Sequence, residues 1–181
     1  MSLSMVTNKS KTNVNIETEK EPMKNIITKI FPKNINNDYK GYGIAVYVFV
    51  IYSVMSIVRS CIHFFSPDGG AGSIAHIDLS QGGKNIIFVF ALWGSSQLIL
   101  AFMQLLVSVR YKSLLPLMYI LLFLEYCFRA LLGIMKPLVF EAGAGTPPGG
   151  YLDKIMIPLA LILLILSLMT KKVKISKSGR V

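Results

Sequence analysis

Four long apolar runs constrain the fold of this sequence more than any other feature. They cover residues 43–65, 85–109, 113–138 and 151–170, with polar stretches between them. A helix of about 20 residues crosses the ~30 Å hydrocarbon layer of a bilayer, because each residue adds about 1.5 Å. Only 15% of the residues are charged, whereas soluble domains carry about 25%. The sequence therefore predicts an all-α fold, an integral membrane four-helix bundle over 41–170 that has the lipid bilayer as its partner.

Polar segments flank the predicted bundle. Residues 1–40 hold seven lysines against four acids, and residues 171–181 hold four lysines and one arginine. We expect polar, basic tails at both ends, disordered over 1–21 because too few apolar residues are present to form a core. Apolar residues at helical spacing near 22–32 predict a short amphipathic helix on the cytoplasmic membrane surface, with a flexible linker as the alternative. These residues are Met23, Ile26, Ile27, Ile30 and Phe31.

Loop charge predicts the orientation. The short turn between the second and third runs holds Arg110 and Lys112, whereas the loops at 66–84 and 139–153 together hold four acids against one lysine. Because cytoplasmic loops are rich in lysine and arginine, we expect this turn and both termini in the cytoplasm, in a bacterial inner membrane. The net charge of +10 has the same cause. We expect no nucleic-acid partner, because no basic region carries aromatic stacking residues or a nucleic-acid-binding motif.

The sequence also argues against several kinds of chemistry. Cys61 and Cys127 lie inside apolar runs, and no CxxC or Cys/His cluster is present. His76 has only one nearby acid, so we expect no metal site and no cofactor. No HExxH motif, P-loop, paired carboxylates or Ser/His/Asp arrangement is visible, which leaves an enzymatic role open but disfavoured.

Ionisable and amide side chains inside the runs mark the candidate site. Glu125 and Arg129 are four residues apart on one helical face, where they can form an ion pair. Helical rise places Glu125 and Gln97 about 18 Å, and Arg59 and Arg129 about 24 Å, from the cytoplasmic ends of their helices, with His63 one turn higher. We therefore expect these five residues to meet in the outer half of the bundle.

Two interpretations of this cluster remain open. An ionised side chain at membrane depth costs several kcal/mol unless it is paired or faces water. Glu125 and Arg129 could form a structural clasp that fixes the helix register. Alternatively, the cluster could line a polar pocket for a small anionic or polar molecule. Arg59 then shares Glu125, reaches lipid headgroups or faces a bound anion.

The second run carries a stripe of small and polar residues, which is typical of packed membrane helices. The stripe consists of Gly94, Gln97, Ala101, Gln104 and Ser108. A compact four-helix membrane protein with a glutamine in helix two and a Glu/Arg-bearing helix three resembles the small DoxX-like proteins of bacteria. The resemblance covers 43–170, implies the four-helix architecture and assigns no catalytic residue. The residues that carry it are Gly94, Gln97, Glu125, Arg129 and Gly133.

Two functions follow from this pattern. The first is a small structural or accessory membrane subunit, whose partner would be a second copy of the chain or another membrane protein. Such a subunit would pack through the stripe of the second run and through the fourth run, which we expect to face lipid broadly. The second is a binder or transporter of a small polar or anionic molecule at the outward-facing polar cluster.

Overall fold

The computed structural model describes residues 25–145 and 147–170, without the side chain of Pro148. Within these ranges the fold is all-helical, apart from one isolated β-bridge. Four of the helices are long and apolar enough to cross a membrane, which confirms the predicted membrane four-helix fold. They are α1 (Gly43–Phe65), α2 (Gly83–Arg110), α3 (Leu115–Met135) and α4 (Pro148–Leu168). The predicted tails at 1–21 and 171–181 lie outside the described residues.

Prolines set two helix ends that differ from the sequence-based boundaries. α3 ends at Met135, because the residue before Pro137 is pushed out of the helical region and Lys136 has φ −135°. α4 begins at Pro148, whose missing N–H and fixed φ suit the first position of a helix. Asp153 was counted with the acids of the outer loop, although it also fell inside the predicted fourth run. The structure places it within α4.

The four helices form two antiparallel hairpins. α1 packs along α2 and α3 packs along α4, whereas α1 and α4 provide a smaller contact between the hairpins. At the tightest point of the first hairpin, a Cβ atom on Gly94 would lie only 2.7 Å from Cβ of His63. Small buried residues on both helices permit this approach. They are Ser53, Ser56 and Ser60 on α1, and Ala101 and Ser108 on α2.

A buried apolar core joins α1, α3 and α4. The hydroxyl of Tyr119 donates to the carbonyl of Ala45 at 2.6 Å, and the Tyr119 ring meets Phe49 edge-on at 5.1 Å. α4 buries Met156 and Ala160 in this core. It is therefore α2, and not α4 as expected, that buries the smallest share of its length.

The proximal end of the bundle, formed by residues 25–42, 110–114 and 168–170, is held by side-chain hydrogen bonds. Residues 25–30 are helical, and the rest of the predicted amphipathic helix at 22–24 lies outside the described ranges. Lys29 Nζ donates to the carbonyl of Leu168 at 2.7 Å and to Thr170 Oγ1 at 2.8 Å. A cation at the C-terminus of α4 satisfies a free carbonyl and favours the helix dipole.

The distal end of the bundle is formed by the loops at 66–82 and 136–145, which are joined to each other. The backbone N–H of Asp78 donates to Val139 at 3.3 Å, and that of Glu141 donates to His76 at 2.9 Å. These bonds flank the bridge between residues 77 and 140. The two hairpins are therefore connected through their loops as well as through their helices.

Candidate functional site

Trp93 of α2 lies between two arginines from different helices. The Cζ atom of Arg59 is 5.4 Å from the centroid of the Trp93 ring, and that of Arg129 is 5.6 Å away. The His63 ring lies against the same indole at 4.8 Å. Guanidinium groups over an indole face are attracted by the ring quadrupole, most strongly where water is excluded. The structure thus brings three of the five predicted cluster residues together around Trp93.

Arg129 pairs with Asp153 of α4. Its Nε donates to Oδ1 at 3.0 Å and its Nη2 approaches Oδ2 at 3.5 Å, with both side chains about three-quarters buried. Within the described ranges Glu125 forms no ion pair with Arg129, which the sequence offered as one possibility. Asp153 on the neighbouring helix can face both donors of the guanidinium edge, and this bidentate geometry is stronger than a single hydrogen bond. Glu125 is half-buried on α3.

The Nε–Nη2 edge of the Arg59 guanidinium has no acceptor among the described residues. Its Nε and Nη2 atoms are buried, and neither has a hydrogen-bond partner in the part of the chain that the structure describes. These are the same two atoms with which Arg129 holds Asp153. A buried donor without an acceptor loses its hydration free energy uncompensated, and the loss is larger for a charged group.

A cavity of about 210 Å³ lies between α1, α3 and α4, with Arg59 at its distal end. Its wall is almost entirely apolar, apart from a few hydroxyl groups and the arginine. The rim residues Ile51 and Met55 are each 60% exposed, on a surface that faces lipid in a membrane. The lining residues on α3 and α4 are Tyr119, Leu122, Tyr126, Leu152, Met156, Leu159 and Leu163.

His63 and Gln97 have different places in the structure. His63 is buried, and its Nδ1 donates to the carbonyl of Gly69 at 2.7 Å, which fixes the distal loop onto α1. Gln97 is half-buried on α2, one turn from Trp93. His63 therefore has a structural hydrogen bond.

The loop that His63 holds is ordered by one carboxylate. Asp68 accepts the backbone N–H groups of Gly70 at 2.8 Å and Ser73 at 2.7 Å, and the hydroxyl of Ser66 at 2.9 Å. The backbone donors hold the pKa of Asp68 well below its usual range. Gly69 and Gly70 adopt φ of +61° and +71°, a conformation that other residues rarely adopt.

The stripe on α2 lies where this helix packs on its neighbours. Gly94, Ala101, Gln104 and Ser108 are buried. Ser108 Oγ donates to the carbonyl of Leu105 within its own helix. The Oε1 atom of Gln104 is buried without a partner among the described residues.

Trp93 and Asp153 are the site residues that the sequence-based cluster missed. Helical rise held a signal for both. Trp93 is sixteen residues from Val109 and Asp153 is seventeen from Thr170, so both lie about 24–26 Å from the proximal end, at the depth of the two arginines. The sequence-based cluster was built from ionisable and amide side chains within the runs, which leaves out Trp93, and Asp153 was counted with the loop acids.

The described residues contain no group of three or more His, Cys, Asp or Glu side chains that could hold a metal ion. Cys61 and Cys127 are free thiols. What distinguishes the site is therefore its paired and unpaired arginines. The chain matches no protein-family model, no curated protein and no solved structure.

Proposed function

We propose that this integral membrane protein binds an anionic group at Arg59. The observation that carries the proposal is the buried Nε–Nη2 edge, which has no acceptor in the described structure. A carboxylate or phosphate oxygen pair matches that edge in the bidentate geometry that Arg129 and Asp153 already show.

Neither acid within the spans, Asp153 or Glu125, forms an ion pair with Arg59 in the described structure, so a bound ligand is left to do so. Asp153 is bound to Arg129, and the described ion pairs within 4.0 Å do not include Glu125. Attraction at longer range lowers the cost of burying Arg59, but it supplies no hydrogen bond to the guanidinium. A ligand that does so gains the strength of a charge-assisted bond in a site with little water.

Trp93 provides the assay, because it is the single tryptophan of the chain and lies beside Arg59. Butyrate is titrated into the protein in nanodiscs of phosphatidylcholine while Trp93 emission is recorded. We expect a saturable change in emission. The substitution Arg59→Met should weaken binding about 10- to 100-fold, since bonds to charged groups contribute ~1.5–3 kcal/mol.

Matched variants make the result specific. Lys84→Gln removes an exposed cation near the same end of the bundle and should leave the titration unchanged. Arg59→Lys keeps the charge and removes the two-pronged edge, so its affinity should lie between those of the wild type and Arg59→Met. An unchanged affinity in Arg59→Met, or an equal loss in Lys84→Gln, would refute anion binding at Arg59.

We further propose that both termini and the turn at 110–112 face the cytoplasm of a bacterial cell, with a relation to the DoxX-like proteins. The support is the loop charge and the antiparallel order of the four spans. In a variant that lacks the two native cysteines, His76→Cys and Tyr111→Cys should react with an impermeant thiol reagent from opposite sides. Labelling from the same side would contradict the four-span topology.

The accessory-subunit role stays a prediction. The exposed apolar side chains of α2 do not by themselves support it, because every lipid-facing helix exposes such side chains. In a bilayer such a surface is satisfied by acyl chains, so it favours no particular protein partner.

A further inference from the structure

We infer that the anionic group at Arg59 is the headgroup of a single-chain acidic amphiphile, a carboxylate or phosphate monoester, whose chain fills the cavity between α1, α3 and α4. This inference rests on the proposed function, since it identifies the molecule that carries the anion. The one cationic group and the apolar wall belong to the same cavity.

The dimensions of the cavity fit one acyl chain. Its lining on α1 runs from Val48 to Arg59, eleven residues or about 16 Å along the helix. One leaflet of a ~30 Å hydrocarbon layer has about the same depth. A volume of about 210 Å³ spread over this length is that of a narrow groove, which suits one chain better than two.

The route into the cavity also favours a lipid-like ligand. Every lining residue belongs to a membrane-spanning helix, and none comes from the distal loops at 66–82 and 136–145. Those loops are bonded to each other. The exposed rim residues Ile51 and Met55 instead open the cavity toward the acyl chains. A ligand dissolved in the bilayer reaches Arg59 sideways, between helices that make few contacts with each other.

The position of Arg59 suits a headgroup. Arg59 lies six residues before the end of α1 at Phe65, which is about 9 Å below the distal end of the helix. The headgroup is therefore held below the membrane surface, and the chain extends from it toward the proximal end. Tyr52 and Tyr126 also line the cavity and add hydroxyl groups to its wall.

Chain-length dependence of affinity would be a poor test, because moving a chain from lipid to an apolar cavity gains little hydrophobic free energy. The test is instead where the chain lies. A sixteen-carbon fatty acid with a diazirine at mid-chain is added to the protein in phosphatidylcholine nanodiscs and photolysed, and the labelled residues are mapped by mass spectrometry. A diazirine-bearing phosphatidylcholine serves as the probe for ordinary lipid contact.

We expect the fatty acid to label cavity-lining residues such as Leu122 and Met156, and unlabelled palmitate to compete. Arg59→Met should reduce this labelling at least tenfold. Leu159→Phe fills part of the cavity and should also reduce it, whereas Leu161→Phe, on an exposed position of the same helix, should not. Leu159→Phe should keep the butyrate response of Trp93, because Leu159 lies about two turns from the level of Arg59.

The outcomes separate the two proposals. If butyrate changes Trp93 emission but the fatty acid labels the lipid-facing surface as evenly as phosphatidylcholine does, the amphiphile inference is wrong and anion binding stands. If butyrate causes no saturable change and the cavity is not labelled, both proposals are wrong. If the cavity is labelled equally in Arg59→Met, a chain enters without headgroup recognition and the inference is also overturned.

Discussion

The ion pair between Arg129 and Asp153 offers the sharpest test of the structure. The sequence favours a pair within α3, between Glu125 and Arg129, whereas the structure pairs Arg129 with α4. Two double-mutant cycles compare these alternatives. The first combines Arg129→Met with Asp153→Asn, and the second combines Arg129→Met with Glu125→Gln.

The geometry sets the size of the expected coupling. The Nε–Oδ1 distance is 3.0 Å, the second contact is 3.5 Å, and the side chains are 23% and 25% exposed. Two unit charges about 4 Å apart attract by ~4 kcal/mol at an effective dielectric constant of ~20, before desolvation is subtracted. Partial exposure and desolvation reduce this, so we expect a coupling of about 1–3 kcal/mol for Arg129 and Asp153.

The free energy of unfolding can be measured by titrating sodium dodecyl sulfate into mixed micelles and following Trp93 emission. Asp153→Asn and Arg129→Met should each destabilise the protein, and the double variant should lose less than the sum of the two. The cycle with Glu125 should be additive within about 0.5 kcal/mol. A larger coupling for Glu125 than for Asp153 would refute the interhelical pairing.

Three further predictions concern packing, the distal loop and the proximal end. Gly94→Ala places a methyl group against the backbone of α1 and should destabilise the protein by about 1–3 kcal/mol in the same titration, whereas Gly133→Ala, which meets nothing within 4 Å, should be neutral or stabilising. Because the pKa of Asp68 is lowered on folding, its contribution is complete above about pH 4, the pKa of an unfolded aspartate, and is lost as the pH falls further. The melting temperature should therefore decline more steeply below pH 4 in the wild type than in Asp68→Asn, and parallel curves would contradict this. Lys29→Met should speed amide hydrogen exchange at the end of α4, whereas Lys33→Met, which removes an exposed lysine nearby, should not.

Apolar run length was enough to predict four membrane helices. In lipid only helices and closed barrels satisfy their backbone hydrogen bonds, and continuous apolar runs of about 20 residues are longer than barrel strands need. It could not predict which helices pair, since helix pairing depends on small residues such as Gly94 that allow close approach. Depth along each helix predicted that Arg59 and Arg129 share a level. The partner of Arg129 was missed because Asp153 was counted with the loop acids, although Pro148 begins a helix that includes it.

The cavity itself had no signal in the sequence. Its walls are residues such as Leu122 and Met156, which any apolar helix could supply. The missing hydrogen bonds of Arg59 could not be predicted from the sequence either, because they depend on Asp153 pairing with Arg129 and not with Arg59. A sequence shows that a charge is buried, and only coordinates show which of its hydrogen bonds are missing.

The two helical hairpins are joined at both ends of the bundle, and the core of α1, α3 and α4 lies between these joints. Asn36 and Ser113 exchange hydrogen bonds at one end, and the backbone bridge between residues 77 and 140 joins the other. Because both ends are joined, a chain bound in the cavity would meet Arg59 at the same depth in the membrane, whatever the length of the chain beyond the cavity.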